Sequence, residues 1–155
     1  MTDLANNTTL PHPWAGLAGE WTGVKHLWLD PDEPDASSPS LLTVTLDPQR
    51  PAFRMAYTWK YDGKNIAGIL DVTFGGGVVR SVWTDTFHTA PDQMALEGSL
   101  DNDRVTLLGR SLAPPVPDWG WRMVLEPDER QFIVRMFNVA PDGREDRAVE
   151  IAWHR

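Results

Sequence analysis

Asp85 is the residue whose surroundings most suggest chemistry. In the run Ser81-Val82-Trp83-Thr84-Asp85-Thr86-Phe87, a period of two puts Ser81, Trp83, Asp85 and Phe87 on one face. Two large aromatics flank the carboxylate, so this face is expected to point inward. A charge there is costly unless it is paired or meets a ligand. Asp85 therefore either orients a ligand or accepts a proton, or it closes a structural pair with a turn or an arginine. His88 lies beside Ala90-Pro91-Asp92 and is expected at a rim. Glu150 is the third titratable candidate. By hydrophobicity its neighbours Val149, Ile151 and Trp153 face in and Glu150 faces out, whereas a cavity lined by Ala148 and Ala152 would reverse this. Asp85 with His88 or Glu150 would supply the two convergent groups that acid–base catalysis needs.

The aromatic supply suggests binding rather than catalysis. The chain has 8 Trp, and Trp28, Tyr57, Trp59, Trp83 and Trp121 lie on strand-like runs where they can wall an apolar pocket. Arg122 sits between Trp121 and Met123. If it points in, it can meet Asp85, Glu150 or a ligand carboxylate; if Trp121 points in, Arg122 is solvated. Other chemistries lack their residues. There is no cysteine, which excludes disulfides, zinc–thiolate sites and thiol nucleophiles. No Gly-x-Ser-x-Gly elbow occurs. Gly75-Gly76-Gly77 has no following Lys-Ser and reads as a turn. The four His (His12, His26, His88 and His154) include no pair with the spacing of a helical zinc site. No metal and no cofactor are expected.

The formal net charge of −8 disfavours nucleic acid and anionic membrane as partners. The N-terminus lacks the basic and apolar regions of a secretory signal, and no run approaches the ~20 apolar residues of a membrane span. A cytoplasmic location is the expectation. A small apolar or amphipathic ligand is the expected partner, with a homodimer through an apolar patch as the protein–protein alternative.

The elements that would position these residues are strands. Residues 1–10 read as a disordered arm and residues 11–155 as one domain. Pro11 to Gly19 allows one short helical turn, with Trp14 and Leu17 capping one end. Strands are expected at 20–29, 41–46, 52–61, 65–74, 78–87, 93–100, 105–112, 119–126, 131–139 and 147–154. Asp30 to Ser40 reads as an exposed loop, and Pro114-Pro115-Val116-Pro117 as a stiff one. Asp62-Gly63 is a strong hairpin turn. Ten short strands with tight turns hide their edges best as an antiparallel up-and-down barrel, with a sandwich as the alternative. Gly19-Glu20-Trp21-Thr22-Gly23 reads as the barrel's closure, a tight turn followed by an indole plug.

The pattern Leu17-Ala18-Gly19-Glu20-Trp21-Thr22-Gly23 with Trp28, then Trp83-Thr84-Asp85, Glu97-Gly98, Pro141-Asp142-Gly143-Arg144-Glu145 and Glu150-Ile151-Ala152-Trp153 resembles the bacterial DUF1579 proteins over residues 14–155. That resemblance implies a calycin, a lipocalin-like or fatty-acid-binding-like barrel of unknown function that holds a ligand. A more distant likeness is to the nitrobindins, which also open on Gly-x-Trp-x-Gly. It implies haem held by a His near the chain end, here His154. After Gly23 the chain reads Val24-Lys25-His26-Leu27-Trp28 rather than that family's Gly-rich, Tyr-Pro continuation.

Overall fold

The structure, a computed structural model, describes residues 10–110 and 119–155. A 3-10 turn over Trp14–Leu17 precedes ten strands: β1 (Gly19–Leu27), β2 (Ala36–Leu46), β3 (Ala52–Tyr61), β4 (Lys64–Gly75), β5 (Val78–Asp85), β6 (Met94–Asp101), β7 (Arg104–Arg110), β8 (Gly120–Pro127), β9 (Gln131–Val139) and β10 (Glu145–His154). Each strand pairs antiparallel with its neighbours in sequence, and β1 closes on β10. The result is the all-β up-and-down barrel expected from the sequence. The residues 1–9 of the expected arm and the Pro114–Pro117 loop lie outside the described residues; Leu10 is buried in the core.

Alternation builds the wall. Along β3, Phe53, Met55, Tyr57 and Trp59 are buried, while Arg54, Thr58 and Lys60 are exposed. The tight turns follow from backbone chemistry. Asp62 and Gly63 have φ of 52° and 73°, and Asn102 and Asp103 have 48° and 70°. Two consecutive positive φ values are what a two-residue hairpin of matching twist requires.

Several strand ends shift from the sequence reading, most by a residue or two, and two of the differences have an identifiable cause. β2 begins at Ala36, inside the stretch expected to be loop, because β1 supplies a partner for all of it, from Leu27↔Ala36 to Gly19↔Val44. Pairing of β2 with β3 starts only at Leu41↔Thr58. Pro39 therefore lies where the strand is laddered on one side, and its missing N–H costs little. β5 ends at Asp85 rather than Phe87, for reasons that belong to the site.

One end is plugged. The Trp14 ring lies 5.3 Å from Phe53, 5.7 Å from Phe74 and 6.0 Å from Phe132. Trp21 Nε1 donates to the Leu17 carbonyl at 2.9 Å. The Arg155 guanidinium lies 4.3 Å from the centre of the Trp21 ring and donates to the Gly16 and Ala18 carbonyls. Gly23 is required here: a Cβ on it would lie 2.0 Å from the Ala152 carbonyl oxygen of β10. The Gly-x-Trp-x-Gly step thus joins first strand, last strand and end cap.

Candidate functional site

The opposite end carries the buried polar side chains that matter. Asp85 stops β5 by turning its carboxylate back on the chain. Its Oδ1 accepts from the Phe87 N–H at 2.8 Å and the His88 N–H at 3.1 Å, the way a short acidic side chain nucleates a turn. Its Oδ2 accepts from Tyr57 Oη at 2.7 Å and Trp59 Nε1 at 3.3 Å. Tyr57 Oη in turn accepts from Trp83 Nε1 at 2.9 Å. Burial, reinforced by the Asp85 charge, holds the Tyr57 hydroxyl well above its usual pKa, so it stays a donor. Gly68, opposite Tyr57 in the ladder, makes room for that ring: a Cβ there would lie 2.1 Å from Tyr57 Cζ.

Lys25 completes the cluster from β1. It shares the inward face of Trp21 and Leu27 and is 1% exposed. Its Nζ sits 3.1 Å from the centre of the Trp59 ring and 3.4 Å from His88 Nε2. The first contact is a cation–π geometry. Loss of hydration pulls the Lys25 pKa down to about 7, with the Asp85 charge opposing.

The His88 ring packs among Phe87, Trp121, Trp83 and Trp59, with centroids 4.9, 5.4, 5.6 and 5.7 Å away. Burial, then the Lys25 charge, lowers its pKa to about 3 against the pull of Asp85. The imidazole is therefore neutral at physiological pH.

Above this layer is a cavity of about 340 Å³, whose wall includes Trp28, Trp83, Phe87, His88, Trp119 and Trp121. Trp121 stacks on Trp83 at 5.3 Å and 17°. Larger hollows of about 620, 560 and 540 Å³ lie on the barrel's outer wall, lined mostly by outward-facing side chains such as Arg80 and Glu97, Arg54 and Asp71, or Thr43 and Thr58. They hold no convergent buried polar cluster, so the smaller cavity at the barrel's end is the candidate site.

Of the residues singled out by sequence, Tyr57, Trp59, Trp83, Asp85, His88 and Trp121 meet at this end, and Trp28 stands on its rim under the Arg147 guanidinium at 4.4 Å. Three do not join them. Arg122 faces outward, paired with Glu145 at 2.9 Å, because Trp121, Met123 and Leu125 take the inside of β8. Glu150 faces outward too, paired with Arg135 at 2.8 Å, because Val149, Ile151 and Trp153 fill the interior. His154 is exposed at the plugged end, opposite Thr22 and Gln131, far along the barrel from Asp85.

Lys25 was missed, although alternation from Trp21 through Gly23 places it on the inner face. Met94, which also lines the cavity, gave no signal beyond its place at a strand start. Among the described residues no group of three or more His, Asp or Glu converges in a way that could hold a metal ion, and no helix is long and apolar enough to cross a membrane.

The chemistry follows from these contacts. Asp85 already receives four donors, so its lone pairs are engaged in holding the loop that carries His88. Its direct link to His88 runs through the backbone N–H, not the ring. Asp85 and Glu150 do not converge. What faces the cavity is aromatic surface with some aliphatic side chains, the Asn138 amide, and a neutral imidazole backed by a buried amine.

A closed ten-stranded barrel, plugged at one end and hollow at the other, is consistent with a binding barrel. The chain belongs to the DUF1579 family, described as proteins of unknown function, whose model matches residues 8–155. The fold is similar to the crystal structure of Rv2717c from M. tuberculosis, with a TM-score of 0.68 at 14% identity, covering 94% of this chain and 98% of that one. No curated protein sequence matches significantly.

Proposed function

We propose that the barrel binds a small, largely apolar ligand at its open end. The observation that carries this reading is the cavity of about 340 Å³ walled by Trp28, Trp83, Phe87, Trp119 and Trp121. That volume lies at the lower end of the usual range for small-molecule sites, roughly 300–1,000 Å³. It admits a compact body of two or three aromatic rings and little more. The indoles supply apolar area and flat faces for stacking, and His88 supplies a polar contact that fixes orientation. Rigid support comes from Asp85, which ties the His88 loop to Tyr57 and Trp59 of β3.

The test is a titration with N-phenyl-naphthylamine, an uncharged fluorescent probe. One saturable site is expected, with blue-shifted probe emission and quenched tryptophan emission. Trp119→Ala, which removes a half-buried wall residue, should weaken the probe about tenfold, on the order of 1.4 kcal/mol. A titration without saturation, or one that Trp119→Ala and Trp28→Ala both leave unchanged, would rule the cavity out as the site.

A further inference from the structure

Resting on that reading, we infer that the cavity selects ligands carrying a carboxylate, received by the His88 imidazole and balanced by the buried Lys25 ammonium behind it.

The geometry supplies the argument. Lys25 is the one buried cationic side chain among the described residues. The hydrogen-bonding partner of its Nζ among them is His88 Nε2 at 3.4 Å, and its other near neighbour is the Trp59 ring face. An ammonium has three protons to place, so a buried one with a single nitrogen acceptor is under-compensated. Asp85 does not satisfy it. Its two oxygens are taken by Tyr57, Trp59 and the backbone of Phe87 and His88. The site thus contains a buried cation with no carboxylate in hydrogen-bond contact among the described residues, so its charge is left without a directly paired anion.

The same contact sets the direction of His88. When Lys25 is charged it can only donate to Nε2, so the imidazole must carry its own proton on Nδ1. Nδ1 has no partner among the described residues, and His88 lines the cavity. The ring therefore passes the lysine's polarity to the cavity as a fixed N–H donor. A carboxylate is the complementary group, with an aromatic or short aliphatic body against Trp28, Trp119 and Trp121.

Binding an anion should also recharge the amine. The titratable groups inside this end are Lys25 on β1, Tyr57 on β3, Asp85 on β5 and His88 after it. Among the described residues the other buried polar side chains are Ser40 and Ser81, neither of them titratable. Lys25, held near pH 7 without a ligand, is largely neutral at pH 8.5. A ligand carboxylate favours the charged form, so Lys25 takes one proton from solvent as the ligand enters. At pH 6 it is already charged, and no uptake follows.

The experiment compares naphthaleneacetate with uncharged naphthaleneacetamide by isothermal titration calorimetry, in buffers of different ionisation enthalpy. The acid is expected to bind at least tenfold more tightly than the amide. Buffer dependence should report close to one proton taken up at pH 8.5 and almost none at pH 6, for the acid only. Lys25→Met should erase the acid preference, so that acid and amide bind alike, and abolish the uptake. His88→Phe should erase the preference with the lysine still present.

The wild-type buffer series decides the matter even if either variant fails to fold. Equal binding of acid and amide, or acid binding without proton uptake at pH 8.5, overturns the inference while the cavity reading stands. A preference that survives in Lys25→Met or in His88→Phe also overturns it. Binding of neither probe overturns both.

Discussion

Lys25 ties the stability of this barrel to pH in a calculable direction. Its pKa falls from an ordinary 10.5 to about 7 on folding. Between those values the unfolded chain holds a proton that the folded chain has released. Stability therefore rises with pH across that window and is lowest, for this group, below pH 7. The slope approaches about 1.4 kcal/mol per pH unit where the difference is a full proton. His88 behaves alike in its own window. Its pKa drops from 6.5 to about 3, so stability falls as the pH goes from 6.5 towards 3. Urea midpoints at pH 7.5, 8.5 and 9.5 check the first statement. The wild-type midpoint should climb, and that of Lys25→Met should stay level over the same range. A parallel climb in both proteins would assign the dependence to other groups. Tyr57→Phe belongs to the same scale. It removes the hydroxyl that receives Trp83 Nε1 and donates to Asp85 Oδ2, leaving two buried polar groups short of a partner. A loss of about 1–3 kcal/mol is expected from thermal or urea unfolding.

Strands and turns explain what was legible in advance and what was not. The wall could be read from alternation in runs such as Phe53-Arg54-Met55-Ala56-Tyr57 and from Asp62-Gly63, because period and turn chemistry are local properties. The inward pair Trp83 and Asp85 was legible on the same grounds. Arg122 was only partly legible: alternation with Trp121 and Met123 favours its solvated side, and what fixes that side is the stacking of Trp121 on Trp83, a contact between β8 and β5 that no local pattern encodes. Lys25 was not legible for a related reason. Alternation puts it inside, but what makes that position tolerable is the Trp59 ring on β3 and the His88 ring after β5. The stretch before Leu41 reads as loop by composition and becomes strand because β1 is long enough to pair with it. The closure motif is testable as an element. Gly23→Ala would push a Cβ to 2.0 Å from the Ala152 carbonyl, forcing β1 and β10 apart. A loss of about 2–3 kcal/mol is expected from such overpacking. Gly16→Ala, with nothing within 4 Å of the added carbon, should stay within about 0.5 kcal/mol.

At the scale of the whole barrel, the two ends are built for different tasks. Trp14, fully buried, fills the plugged end against Phe53, Phe74 and Phe132. Between the ends the interior is occupied by side chains such as Met55, Leu70, Leu107 and Trp153. Among the described residues, the buried Lys25, Tyr57 and Asp85 lie beneath the open-end cavity, and there the aromatics stand around a void rather than filling one. Stability and binding should therefore separate along the barrel axis. Trp14→Ala removes core volume and should cost about 3–5 kcal/mol. Under conditions where that variant remains folded, it should bind N-phenyl-naphthylamine as the wild type does. Trp119→Ala should do the reverse, costing about 1 kcal/mol or less as a half-buried residue while weakening the probe about tenfold. His154→Ala, at the plugged end and exposed, should change neither quantity. Paired denaturation and probe titrations on the three variants decide the point. Probe affinity that fell with Trp14→Ala or His154→Ala and held with Trp119→Ala would move the site to the other end of the barrel.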